Sequence, residues 1–265
     1  MKRWILGIVL FLAVALPAQA EVQGQEVTYQ AGGTVLKGYL AYDDSIEGKC
    51  PGVLVVHEWW GHNEYARQRA RMLAGLGYTA FALDMYGDGK TASHPDEAKA
   101  FVDAIVNNQE EMIARFMAAM KILKNFPGTD PGHIAAIGYC FGGGTVLNMA
   151  RMGAPLDGVV SFHGGLTPMT EAQRGQIQAK ILVCHGGDDQ FVTPEQVDAF
   201  KQEMDKLGVN YKFIVYPGAK HGFTNPQADE FAKKFNMPIA YNAAADAKSW
   251  QDMQEFLKQA FGQGQ

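Results

Sequence analysis

A chain of 265 residues, 47% of them apolar, is long enough to close a substantial hydrophobic core. Its formal net charge is only −5 and contains no basic block, which argues against nucleic acid as a partner. No later stretch matches the length and apolarity of a membrane span, and no repeat or low-complexity linker divides the chain.

Lys2 and Arg3 precede an almost wholly apolar run from Trp4 to Leu16, which Pro17 breaks before Ala18-Gln19-Ala20. That order of charge, apolar run and small-x-small pattern predicts a secretory signal cleaved after Ala20, because the run is short of the roughly 20 residues a bilayer requires. The mature protein is expected to be periplasmic or secreted, free of the membrane, and folded as a single domain over residues 21–265.

From there two kinds of segment alternate. Val27 to Tyr29 and Leu36 to Tyr42 predict a short antiparallel hairpin turning at Gly32-Gly33. Gly52 to His57 is a β-branched apolar run suited to a buried strand, and Glu64 to Leu76 has helical spacing stopped by Gly77. Tyr78 to Leu83 reads as a strand, and Pro95 to Val106 and Glu110 to Phe126 as helices. Strands are expected at His133 to Ile137, Gly158 to Phe162, Ile181 to Cys184 and Tyr211 to Tyr216. Helices are expected at Gly142 to Met152, Pro194 to Leu207 and Ala245 to Phe261. Such alternation predicts an α/β fold, a mostly parallel central sheet flanked by helices on both faces.

The strongest chemical signal is Gly138-Tyr139-Cys140-Phe141-Gly142, set between a predicted strand and a predicted helix. A nucleophile elbow needs this context: glycines two residues either side permit close backbone approach while the central side chain projects above the sheet. The thiolate is the attacking form of cysteine, and a helix N-terminus favours negative charge. An acid is expected after the strand ending at Cys184, where Asp188 and Asp189 both stand, and a base after the strand ending at Tyr216, where His221 stands. Nucleophile, acid and histidine thus follow one another in the order of an α/β-hydrolase fold, and the three together move protons to and from an attacked carbonyl. The cysteine count is odd, with Cys50 and Cys184 besides Cys140, so at least one thiol stays unpaired in a monomer. A Cys50–Cys184 disulfide is left open.

The sequence resembles the dienelactone hydrolase family along most of its length. The resemblance is carried by His57-Glu58-Trp59-Trp60-Gly61-His62-Asn63, Ala82-Leu83-Asp84-Met85-Tyr86, Gly138-Tyr139-Cys140-Phe141-Gly142-Gly143, Asp189-Gln190-Phe191-Val192 and His221-Gly222-Phe223. It implies an α/β-hydrolase fold and a triad of Cys140, Asp189 and His221. It also implies that Glu58 helps to activate the thiol, and that no cofactor or metal is required. The oxyanion donors expected are the backbone N–H groups of Phe141 and Trp59. Trp60, Tyr86 and Phe223 are candidate walls of a pocket for a small ester or lactone. One feature of the family is missing. Its lactone-gripping arginines have no counterpart, since Gly87-Asp88 and Thr224-Asn225 occupy the corresponding places and only Lys90 or Lys220 could supply a cation nearby.

Two other readings compete. A thiol-redox or ligand-binding protein on the same fold is disfavoured by the lack of a C-x-x-C motif. A zinc site at His57, Glu58 and His62 is disfavoured by a histidine spacing one residue too long and a strand-to-loop context.

Overall fold

The computed structural model describes residues 22–262, so the proposed signal segment lies outside the described residues. Eight strands form one sheet in the order β1-β2-β4-β3-β5-β6-β7-β8. The strands are β1 (Val22–Ala31), β2 (Thr34–Asp43), β3 (Cys50–Val56), β4 (Thr79–Leu83), β5 (Thr129–Tyr139), β6 (Gly158–Phe162), β7 (Lys180–Gly186) and β8 (Tyr211–Tyr216). β1 and β2 form the expected hairpin, longer than its apolar stretches suggest, and β2 runs antiparallel to β4. Every pairing from β4 onward is parallel. This is the mostly parallel sheet that the alternation predicts, in the α/β-hydrolase architecture that the resemblance implies.

The helices are α1 (Glu64–Ala74), α2 (Pro95–Val106), α3 (Gln109–Asn125), α4 (Phe141–Arg151), α5 (Pro194–Leu207), α6 (Ala228–Phe235) and α7 (Ala243–Ala260). Their ends follow local chemistry. Asn63 caps α1 through its side chain, and Thr193 and Gln196 form a reciprocal capping box on α5, which Gly208 ends in a left-handed turn. α6 is not among the expected helices. Between Pro226 and Pro238 its eight residues carry only Phe231 and Phe235 as large apolar groups, too few for a periodic signal.

Two apolar cores result, one on each face of the sheet. β4 and β6 are buried at every residue, as strands covered on both faces must be. The parallel strands therefore point their C-terminal ends at one edge, and loops leaving that edge carry the chemistry.

The sharpest of those turns joins β5 to α4. Cys140 sits there at φ 52°, ψ −115°, a conformation that L-residues rarely adopt. It is held by the Cys140 N–H on Phe162 O at 3.0 Å and the Gly144 N–H on Cys140 O at 3.1 Å. The neighbouring glycines are sterically required. A Cβ on Gly138 would collide with the carbonyl of Gly142, and one on Gly142 with the carbonyl of Val56. These are backbone obstacles that no rotamer change relieves. Gly138→Ala is accordingly expected to cost about 2 kcal/mol or more, the scale of overpacking in a close-packed interior. Urea denaturation measures it; an unchanged midpoint would show that the turn can yield.

Candidate active site

Cys140 enters the site from the β5–α4 bend, Asp189 from the loop after β7, and His221 from the loop after β8. Glu58 and Trp59 leave the end of β3. The His221 Nδ1–H donates to Asp189 Oδ2 at 2.9 Å, and the Phe191 N–H donates to Asp189 Oδ1 at 2.8 Å. The Asp189 side chain is fully buried and that of His221 is 12% exposed. Burial alone would raise the Asp189 carboxyl, but the hydrogen bond and charge of His221 outweigh it and hold the group below its usual range. Burial likewise opposes a charged His221. The neighbouring Cys140 sulfur and the hydrogen bond that His221 donates to Asp189 overcome it, and the imidazole is pushed up to about 10. The order Cys140–His221–Asp189 thus favours the protonated imidazole.

His163, also fully buried, packs edge-on against His221 with ring centroids 5.1 Å apart. Its Nε2 lies 2.8 Å from the Thr224 hydroxyl, which is also 2.7 Å from the Tyr65 hydroxyl. Burial holds His163 well below the ordinary imidazole range, so it adds bulk rather than charge beside His221.

Glu58 is 5% exposed, and its Oε2 accepts from Asn225 Nδ2 at 2.6 Å. Burial raises its carboxyl to about 7, against the opposing pull of Asn225, His221 and Arg69. A carboxyl poised near neutrality can take up or return a proton without a large cost. Arg69 is already committed. It pairs with Asp246 at 2.7 Å, donates to Thr224 O at 2.6 Å, and lies over the rings of Tyr65, Tyr139 and Trp250.

Cys140, His221 and Glu58 open into one cavity of about 370 Å³, within the range of small-molecule sites. Its apolar lining includes Val102, Val106, Met112 and Met169 together with Trp60, Phe231, Met237 and Ile239. Phe191, half exposed, packs near His221 at the rim, with centroids 4.9 Å apart. Among the described residues, no lysine or arginine lines the cavity. Lys90 and Lys220 are exposed and stand outside its wall, while Asp88 is neutralised at the surface by Lys37, 2.8 Å away.

Phe141 and Trp59 both line the cavity, and among the described residues neither backbone N–H donates within the chain. Of the three expected pocket residues, only Trp60 is in the wall. Tyr86 turns its hydroxyl onto Trp59 O at 3.0 Å and packs against His57 and Phe141. Phe223 is fully buried against His163 and Tyr216, because the chain reverses at Gly222 and drives the ring into the core.

Asn225, which holds Glu58 and lines the cavity, is a side chain that sequence reasoning misses. In the sequence it marks only a place without an arginine, although its position four residues after His221 is a usable signal. The apolar wall from α2, α3 and α6 leaves no local signal at all.

The other cysteines stand apart from this site. All three are free thiols, and Cys50 on β3 is separated from Cys184 on β7 by two intervening strands. The zinc grouping does not assemble either: both ring nitrogens of His57 are hydrogen-bonded within the chain, and among the described residues no three metal-ligating side chains converge.

The model of the dienelactone hydrolase family matches residues 36–261. "Protein usf" of Aquifex pyrophilus is 31% identical over 83% of this chain and 95% of its own length. A solved structure from metagenomic libraries, described as a dienelactone hydrolase-like promiscuous phosphotriesterase, is 36% identical and superposes with a TM-score of 0.86. That superposition covers 92% of this chain and all of the other. Dienelactone hydrolase from Anabaena variabilis, 20% identical with a TM-score of 0.58, covers 81% of this chain and 95% of the other and shares the fold.

The raised Glu58 carboxyl has a consequence for stability. The folded chain keeps this proton to a higher pH than the unfolded chain, so its contribution is complete below about pH 4.5 and is lost as pH rises through about 7. Glu58→Gln should match wild type near pH 4.5 and exceed it by up to about 3 kcal/mol near pH 8, since a tenfold change in proton affinity corresponds to about 1.4 kcal/mol. Denaturation curves across that range measure the difference; a pH-independent gap would contradict the buried, raised carboxyl.

Proposed function

This chain belongs to the dienelactone hydrolase family, a family of hydrolases, and from that premise we propose that it hydrolyses small carboxylic esters or lactones with Cys140 as nucleophile. The observation that carries the reading is the thiol at a left-handed strand-to-helix bend, beside an imidazole that Asp189 holds, both lining one cavity.

In the proposed course the Cys140 thiolate attacks the ester carbonyl and forms a C–S bond. The carbonyl electrons move onto oxygen, where the N–H groups of Phe141 and Trp59 receive them. Collapse expels the alkoxide as His221 gives it a proton, leaving a thioester on Cys140. Water then attacks the thioester with His221 as base, releasing the carboxylic acid and restoring the thiolate–imidazolium pair. Asp189 holds the His221 tautomer and stabilises its charged form. Glu58, buried beside the same cavity and titrating near neutrality, is suited to exchange a proton with the thiol between turnovers.

The cavity wall argues for an uncharged acyl group. Burying a substrate carboxylate among apolar side chains with no lysine or arginine beside it carries a large desolvation cost, and Glu58 would add repulsion once ionised. The same reasoning favours neutral phosphotriesters as a second substrate class, in keeping with the phosphotriesterase among the relatives. A redox reading has less support, since Cys184 is fully buried in β7 and Cys50 lies at the start of β3.

Kinetics on a panel of neutral aryl esters, neutral lactones, an aryl dialkyl phosphotriester and carboxylate-bearing lactones tests this reading. Cys140→Ala is expected to lower ester turnover by about 1,000-fold or more, as loss of a nucleophile does in comparable hydrolases. Neutral substrates should outperform anionic ones in kcat/KM. Turnover retained by Cys140→Ala would refute the nucleophile, and a preference for anionic lactones would refute the substrate class.

Export remains part of the proposal, resting on the charged, apolar and small-residue pattern of Met1 to Ala20. N-terminal sequencing of protein recovered from the periplasm should begin at Glu21; a chain retained in the cytoplasm with Met1 or Lys2 at its start would reject it.

A further inference from the structure

We propose that His57 and Tyr86 are positioning residues that clamp the peptide units on either side of Trp59, aiming the Trp59 N–H into the cavity as an oxyanion donor. This deepens the hydrolase reading above and rests on it.

The Trp59 N–H belongs to the peptide unit whose carbonyl is that of Glu58. That carbonyl accepts from His57 Nδ1 at 2.6 Å and from the Gly61 N–H at 3.1 Å. The Met85 N–H donates to the other ring nitrogen, His57 Nε2, at 3.2 Å. A backbone N–H can only donate, so Nε2 must be bare and Nδ1 must carry the proton. The tautomer that points a donor at Glu58 O is therefore fixed by the chain itself. Burial, which disfavours the charged ring, keeps His57 neutral.

In a trans peptide the C=O and N–H point in opposite directions, and the described residues contain no cis peptide bond. His57 is fully buried and outside the cavity wall, whereas Trp59 is in it. Turning the Glu58 carbonyl toward His57 turns the Trp59 N–H the other way, toward the cavity. Donors on that carbonyl also polarise the peptide and strengthen the N–H as a donor.

The next peptide is held as well, because the Tyr86 hydroxyl donates to Trp59 O at 3.0 Å. Both clamps are braced by the loop that follows β4, which supplies Tyr86 itself and the Met85 N–H that holds His57. The buried Asp84 carboxylate accepts the N–H groups of Lys37, Tyr86, Gly87 and Gly89 at 2.7 to 3.1 Å. Arg115 Nη1 donates to Met85 O at 2.6 Å. The donor to His57 and the residue that grips Trp59 O are thus anchored to one another, as a preorganised site requires.

The test compares turnover of a neutral aryl ester with alkylation of Cys140 by iodoacetamide, a displacement that develops no oxyanion. His57→Phe keeps an aromatic ring and removes the donor. It should lower kcat by about 10- to 100-fold, in the range for a weakened oxyanion donor, with KM within about threefold. Inhibition by an alkyl trifluoromethyl ketone, whose adduct carries the oxyanion, should weaken in parallel, while the alkylation rate stays within about twofold. His57→Asn, whose amide can reach Glu58 O, should recover most of the loss. Tyr86→Phe should lower kcat by about three- to tenfold with the same pattern, and it decides the matter alone if the His57→Phe variant does not fold.

A kcat within about twofold of wild type in the folded variants, with Cys140→Ala inactive, would overturn the clamp and leave the hydrolase reading intact. An alkylation rate that falls as far as kcat would also overturn it, since the residues would then be acting on the thiol. An active Cys140→Ala would instead remove the reading on which the clamp rests.

Discussion

The bend at Cys140 holds a non-glycine residue at φ 52° because its surroundings leave the backbone no easier path. β5 must end and α4 must begin within one residue, with Gly138 and Gly142 in contact and Gly142 against the carbonyl of Val56 on β3. The same contact that forces the bend ties it to the strand from which Glu58 and Trp59 emerge. The Cys140 thiol, the Glu58 carboxyl and the Trp59 N–H are therefore placed by a single packing constraint, and the imidazole reaches them from further across the sheet.

Burial makes an uncompensated charge costly in this site. The strongly charged groups are consumed in pairs: His221 with Asp189, Arg69 with Asp246 under a cover of three aromatic rings. What remains facing the cavity is a thiol, an imidazole and a carboxyl whose proton affinity has been raised to the neutral range. Asn225 is central to that balance. As a neutral amide it satisfies one Glu58 oxygen but supplies no full charge, so burial still dominates and the carboxyl stays protonatable. A cation in the same place would favour ionised Glu58 and would also attract an anionic substrate. The neutral donor is consistent with both a titrating Glu58 and an uncharged acyl group.

The alternation of strands and helices and the chain order Cys140, Asp189, His221 were legible because each is encoded locally. β-branched runs, helix stops at glycine and a Gly-x-Cys-x-Gly turn report on neighbouring residues, and the parallel α/β fold converts chain order into position along one edge. The pocket was much less legible. Trp60 lines the cavity, yet Tyr86 and Phe223 have the same aromatic character and are spent elsewhere, one on a backbone carbonyl and one in the core. Aromatic residues near a motif are equally suited to lining a cavity or filling a core, and only the packed structure distinguishes the two. α6 escapes a sequence reading for a similar reason, since two phenylalanines in eight residues become meaningful only once Trp60 packs against them.

By itself, the sequence determined the fold class, the bend that presents Cys140 and the order in which Asp189 and His221 follow it, because backbone geometry and periodicity act over a few residues. Tertiary structure alone decided that Glu58 meets Asn225, that His57 turns its proton to Glu58 O, and that no lysine or arginine among the described residues reaches the cavity wall. Those outcomes depend on burial and on contacts between residues far apart in the chain, and desolvation, the force that sets the protonation of Glu58, has no value until the chain has closed around it.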